Sequence, residues 1–223
     1  SYVQKLFKID NYYLKYITHY RKAKQNKVLQ PLTEKVEKVY CNDWLLNYGN
    51  KWQKVIDTTE KWYNQPKVAQ HRFFTDHIKP FTTKGQRLFI IISDGLRYEC
   101  GWEYLQKIQT EKRFEGELEY MISSLPSYTQ LGMAALLPNA NMTFQPDSEY
   151  VLINGNSTQG VQARSKILEQ MAGVRATAIR AEDFMKMNSA TDGREFVKQY
   201  DLIYIYHNRI DKIGDDKTSE EKV

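Results

Sequence analysis

Cysteine is almost missing from this 223-residue chain: only Cys41 and Cys100 occur. Two cysteines cannot make a disulfide framework, and no CxxC-type zinc motif is present, so a reducing cytoplasmic setting is expected. Long apolar runs are also absent. None is longer than that of Leu88–Ile92, and mean hydropathy is -0.65. A membrane helix needs about 20 apolar residues, so no membrane partner is expected. No glycine precedes Gly49, and no leading segment reads as a signal peptide. The chain opens on Ser1 rather than Met and ends in a charged run, as expected for a piece of a longer protein.

What is present is a globular composition, 41% hydrophobic and 26% charged. A chain of this length can bury a core without disulfide or metal staples. The net charge of +5 is uneven. Residues 1–80 hold fifteen Lys and Arg against seven Asp and Glu; the rest hold seventeen against twenty. A diffuse N-terminal basic excess permits contact with DNA without establishing it.

Residues 2–78 show helical spacing. Apolar positions recur three and four apart: Tyr13, Ile17 and Tyr20; Leu32, Val36 and Tyr40; Trp44 and Tyr48; Trp52, Val55 and Trp62. Pro31 is expected to start a helix, and Pro66 to break the pattern. Aromatics at this spacing, Tyr63 included, read as packing in a bundle. The alternative is rings interleaved with lysines for stacking on bases.

Beyond Pro80 the pattern changes. Arg87–Asp94 is short, β-branched and unalternating, as expected of a parallel-sheet strand buried on both faces. Further strands are expected over 118–122, 150–154, 175–179 and 201–207. Helices are expected over 96–108, 130–137, 160–171, 182–187 and 195–199. Alternation of this kind predicts a layered α/β domain.

Chemistry is expected at the carboxyl ends of such strands. Asp94 follows the first apolar strand, where a carboxylate suits a divalent cation or caps the next helix. Gly95 permits the tight turn after it. The second expected strand leads into Ser123–Ser124–Leu125–Pro126–Ser127–Tyr128–Thr129. Thr129 is expected near a helix start, where free N–H groups favour an alkoxide, or it is an ordinary cap. After the last strand, Asp211 and Asp215 are four apart and share a face if helical, as metal ligands or as a solvated acidic cluster. His207 is the one histidine of this half. An acid, a hydroxyl and an acid pair at three strand ends predict a metal-activated Thr nucleophile for phosphoryl or sulfuryl transfer.

Three stretches then resemble one family: Ile90–Glu99 (IIISDGLRYE), Leu125–Pro138 (LPSYTQLGMAALLP) and Ile205–Asp215 (IYHNRIDKIGD). Together they resemble the PglZ family of the alkaline phosphatase superfamily, found in type 1 BREX bacteriophage-defence systems. The resemblance implies a central fragment of such a protein. Its fold would be an alkaline phosphatase-like, mostly parallel α/β sheet flanked by helices and truncated. Residues 1–80 would be a helical region, and 81–223 the N-terminal part of the domain. It also implies two divalent metals, usually Zn2+, in a phosphomonoester or phosphodiester hydrolase. Thr129 matches the nucleophile and metal ligand, Asp94 a metal acid, and Asp211 and Asp215 acids of the other metal site. Arg97, Lys212 and His207 are candidates to hold the phosphate. The remaining metal ligands would lie beyond this chain, leaving it inactive alone. Partners would be other defence-complex proteins. A non-catalytic scaffold, or a DNA-binding module on the basic helices, are the rival readings.

Overall fold

The computed structural model describes residues 1–23, 26–62 and 68–215. Tyr63 and Pro66 lie outside the described residues. In chain order the helices and strands are α1 (Phe7–Lys22), α2 (Asn26–Lys38), α3 (Asn47–Thr58), α4 (Lys79–Thr82), β1 (Leu88–Ser93), α5 (Tyr98–Ile108), α6 (Thr129–Ala135), β2 (Met142–Phe144), β3 (Val151–Ile153), β4 (Asn156–Ser157), α7 (Gly160–Met171), β5 (Ala176–Arg180), α8 (Ala181–Lys186), α9 (Asp192–Gln199), β6 (Leu202–His207) and α10 (Arg209–Asp215). A π-helical stretch, Val39–Leu46, joins α2 to α3, and another, Phe74–Ile78, leads into α4. No helix among the described residues is long and apolar enough to cross a membrane.

The described residues form two compact units. One combines 1–62 with 97–120, the other 68–96 with 121–215. In the helical unit Asp10 is buried on α1. Its carboxylate accepts the Tyr40 hydroxyl at 2.8 Å, the Trp44 indole N–H at 3.0 Å, and the Tyr2 hydroxyl. Three donors on one buried charge offset its lost hydration. Tyr13 stacks on Tyr40, with ring centroids 3.6 Å apart. Most of the expected aromatics therefore pack, though Trp52 stays exposed. Pro31 sits inside α2 rather than at its start. It lies on an exposed position, where solvent can take the carbonyl that the missing N–H leaves unpaired.

The α/β unit is built on a parallel three-stranded sheet of order β1–β6–β5. The central strand β6 is buried on both faces. Leu202, Tyr204 and Tyr206 face a large core shared with Leu131 and Leu137 of and after α6, Ile153 of β3, and Ile167 and Leu168 of α7. Ile203 and Ile205 face a smaller cluster with Ala181 and Phe184 of α8 and Phe196 and Val197 of α9. Period-two alternation with both sides apolar is what a central parallel strand requires.

Strand β1 departs from expectation. Leu88, Ile90 and Ile92 pack on the large core, but Phe89 and Ile91 are exposed, Ile91 at 69%. It is an edge strand, and the α8–α9 layer packs on its neighbours' residues. The strand expected over 118–122 also does not form. Ile122 makes one isolated parallel bridge with Ala69. Val151–Ile153 is a strand, but of a separate antiparallel sheet, β2–β3–β4. Asn154 and Gly155 both have positive φ, the two-residue turn that closes β3 onto β4.

Candidate active site

The last rung of the β1–β6 ladder pairs Ser93 with His207. Ser93 Oγ lies 2.9 Å from His207 Nδ1, and Asp94 N donates to His207 O at 2.9 Å. The two strand ends are thus tied side by side, and Asp94 leaves β1 where α10 begins after β6. Gly95 has φ +74, and a Cβ there would lie 3.3 Å from Asp211 N. Only a glycine turn lets α10 approach this closely.

Burial raises the Asp94 carboxyl pKa, and the Asp211 charge raises it further, with a smaller push from Asp215. The Gly95 N–H and the Arg164 charge act the other way. Asp94 does not cap the following helix, whose N-cap is Arg97. Thr129 is the first residue of α6, with Tyr128 at the N-cap. Asp94 and Thr129 line two cavities in common. One, of about 600 Å³, is completed by Gln70, Ser123, Ser124, Ser127 and Gly132. The other, of about 540 Å³, is walled by Arg164, Arg180, Lys186 and Lys212, by the acids Glu182 and Asp183, and by His207 and Asn208. Asp215 is exposed on α10, four residues from half-buried Asp211. Arg97 belongs to the helical unit, where its Nε lies 2.5 Å from Glu99 Oε1.

Arg164 was not visible as a site residue in the sequence. Four residues into α7, it reads as an ordinary charged helix position. In the fold it is only 8% exposed. Its Nε donates to Thr158 O at 2.8 Å, and its guanidinium lies over the Tyr206 ring, 4.8 Å from the centroid. Among the described residues no carboxylate forms an ion pair with it. A buried guanidinium without a paired acid, facing a cavity, suits an anionic ligand.

A divalent cation fits the donors partly. Asp94 and Asp211 are hard oxygen groups whose mutual repulsion a cation would relieve. Yet among the described residues no cluster of three or more His, Cys, Asp or Glu side chains could hold a metal ion.

Comparison with known proteins gives the family. Residues 73–223 match the family described as the BREX system PglZ alkaline phosphatase-like domain. The chain is 36% identical over 231 residues to "Alkaline phosphatase-like protein BrxZ" of Escherichia coli O9:H4 (strain HS). It is 32% identical over 225 residues to "Alkaline phosphatase-like protein PglZ" of Bacillus cereus (strain H3081.97). Each comparison covers 100% of this chain but 26% of the relative, so the chain spans about a quarter of their length. No solved structure matches. With this chain matched along its whole length by two longer relatives, and the Asp94, Thr129 and Asp211 stretches all inside the matched domain, the chain belongs to the PglZ family of BREX alkaline phosphatase-like proteins.

Proposed function

We propose that this chain forms part of the active site of a metal-dependent phosphoester hydrolase acting in a BREX defence system. In this reading residues 1–80 are a helical region and 81–223 open the catalytic domain, whose remaining ligands come from the rest of the protein. What supports the reading above all is that Asp94 and Thr129 line common cavities, with buried Arg164, which forms no ion pair among the described residues, in the wall of one.

Asp94, Asp211 and Asp215 would hold divalent metal, Zn2+ in our reading, together with ligands from outside this chain. The metal would supply the positive charge that lowers the pKa of a hydroxyl and neutralises phosphate oxygens. Thr129 Oγ1 gives up its proton and attacks phosphorus. The ester P–O bond breaks, the alcohol departs with a proton, and water later cleaves the phosphothreonine. Arg164 holds non-bridging oxygens with its planar fork, oriented by the Thr158 carbonyl and the Tyr206 ring. His207, fixed by Ser93, faces the same cavity and adds a hydrogen bond to the phosphate. Desolvated Asp94 stays costly to ionise until positive charge arrives, which favours loading with metal.

The test is hydrolysis of a nitrophenyl phosphodiester by the full-length protein with Zn2+. Thr129→Val should abolish turnover while leaving the fold intact by circular dichroism. Turnover at the wild-type rate would remove Thr129 as nucleophile; no Zn2+-dependent turnover by the unsubstituted protein would leave a scaffold role as the better account.

A further inference from the structure

Two residues that line the 600 Å³ cavity each carry a buried polar atom with no partner among the described residues. Ser124 is 5% exposed, yet its hydroxyl is buried with no hydrogen-bond partner among the described residues. Gln70 Oε1 is likewise buried and unpartnered. Both residues line the cavity beside Thr129. Their backbones are pinned: Gln70 N donates to Ile122 O at 2.9 Å, two residues before Ser124. The Gln70 amide also lies against Gly132 of α6, its Nε2 3.5 Å from where a Cβ would be. Native folds rarely leave such groups unsatisfied, and each costs stability unless something pairs with it.

The character of the cavity says what that something is. Its described lining contains no Lys or Arg, and its one charged residue is Asp94. The 540 Å³ cavity carries four cations, Arg164, Arg180, Lys186 and Lys212, against three acids, Asp94, Glu182 and Asp183. An anionic group therefore belongs on the Arg164 side. The other cavity offers a carbonyl acceptor and a hydroxyl that can donate or accept.

We infer that Ser124 and Gln70 form a specificity subsite for the uncharged organic arm of the phosphoester, taking a neutral group that bears an N–H or O–H donor. The subsite rests on the hydrolase reading above and adds which ester that enzyme prefers. A site built to hydrogen-bond a substrate donor rejects the analogue lacking it, because its own buried groups then stay unpaired.

The test uses full-length protein with Zn2+ and two phenyl phosphodiesters, one carrying a para carboxamide and the other a para acetyl group of the same shape without the donor. Wild type should favour the carboxamide ester by about tenfold or more in kcat/KM. Gln70→Leu and Ser124→Ala should bring that ratio towards one. Turnover without discrimination, or a ratio unchanged in both variants, overturns the subsite alone. Failure to hydrolyse either ester overturns the hydrolase reading and the subsite with it. Thermal melts of Ser124→Ala add a readout free of activity. Removing an unpaired buried hydroxyl should raise Tm; a fall would mean that the fold itself uses Ser124, and the subsite would be lost.

Discussion

Ser93 Oγ and His207 Nδ1 lie 2.9 Å apart across the last rung of the β1–β6 ladder. That contact fixes the imidazole and the relative height of the two strand ends from which Asp94 and α10 depart. Ser93→Ala removes one hydrogen bond and should cost about 0.5–1.5 kcal/mol. In the full-length protein it should also raise KM several-fold, because the His207 ring is then free to turn. Chemical denaturation beside Michaelis kinetics measures both; an unchanged KM would confine Ser93 to stability.

Asp94 predicts a pH-dependent conflict between stability and function. Its pKa is raised in the fold, by burial first and then by Asp211. The folded chain thus holds this proton more tightly than the unfolded chain. The resulting stability is fully present below the unfolded value of 3.8 and is lost as pH rises through the higher folded value. Asp94→Asn has no such loss. Measured in EDTA, its Tm should match wild type near pH 4 and exceed it increasingly towards pH 7. The same substitution should abolish Zn2+-dependent hydrolysis by the full-length protein. Equal melting curves across this range would show that neither burial nor the Asp211 charge holds the Asp94 proton in the folded chain.

Much of this was legible in the sequence, and for a physical reason. Leu202–His207 is a mostly apolar strand buried on both faces, Ala176–Arg180 pairs beside it, and Gly160–Met171 has helical period throughout. Local pattern and tertiary demand coincide there. Over 118–122 they part: the residues suit a strand, but no sheet edge is paired to them beyond Ile122 against Ala69. β1 has the composition of a doubly buried strand, yet an edge position exposes Phe89 and Ile91. Asp94, Thr129 and Asp211 stand out as candidates in the sequence because each lies in a stretch of unusual chemistry. Arg164 and Ser124 did not, since burial without a partner is a property of the fold and leaves no periodic trace.

The edge position of β1 makes a second stability prediction. Ile91 is 69% exposed, so Ile91→Thr removes little burial and keeps a β-branched residue. Stability of this chain should change by no more than about 0.5 kcal/mol. Solubility should improve, because an apolar edge strand invites pairing with other chains. Light scattering at rising concentration checks this. A large loss of Tm would mean that the outer face of β1 is covered after all.

In the helical unit, Asp10 organises Tyr2, Tyr40 and Trp44. Asp10→Ala leaves three donors without their acceptor and should cost roughly 2–4 kcal/mol, read as early loss of the near-ultraviolet aromatic signal. Tyr40 supplies the matching pH test. Burial, then the hydrogen bond to Asp10, pushes its phenol from 10.0 up to about 12. A raised phenol pKa stabilises the fold below the unfolded value and loses that stabilisation as pH climbs through the folded one. Alkaline unfolding of the helices should therefore set in between about pH 10 and 12. Tyr40→Phe should remove that alkaline step while lowering stability at neutral pH.

Gly95 offers the sharpest test of how the acids are brought together. Its φ of +74 is left-handed, and a Cβ would press on Asp211 N at 3.3 Å. Gly95→Ala therefore meets two costs at once, backbone strain of about 1–2 kcal/mol and displacement of α10 by a few tenths of an ångström. The second matters more for chemistry, because it moves Asp211 away from Asp94 without touching either carboxylate. In the full-length protein, Zn2+ affinity and kcat should fall together, while the melting temperature of the metal-free chain drops only modestly. Wild-type Zn2+ affinity in this variant would mean that the close approach of the β1 turn to α10 has no part in holding the acids for a cation.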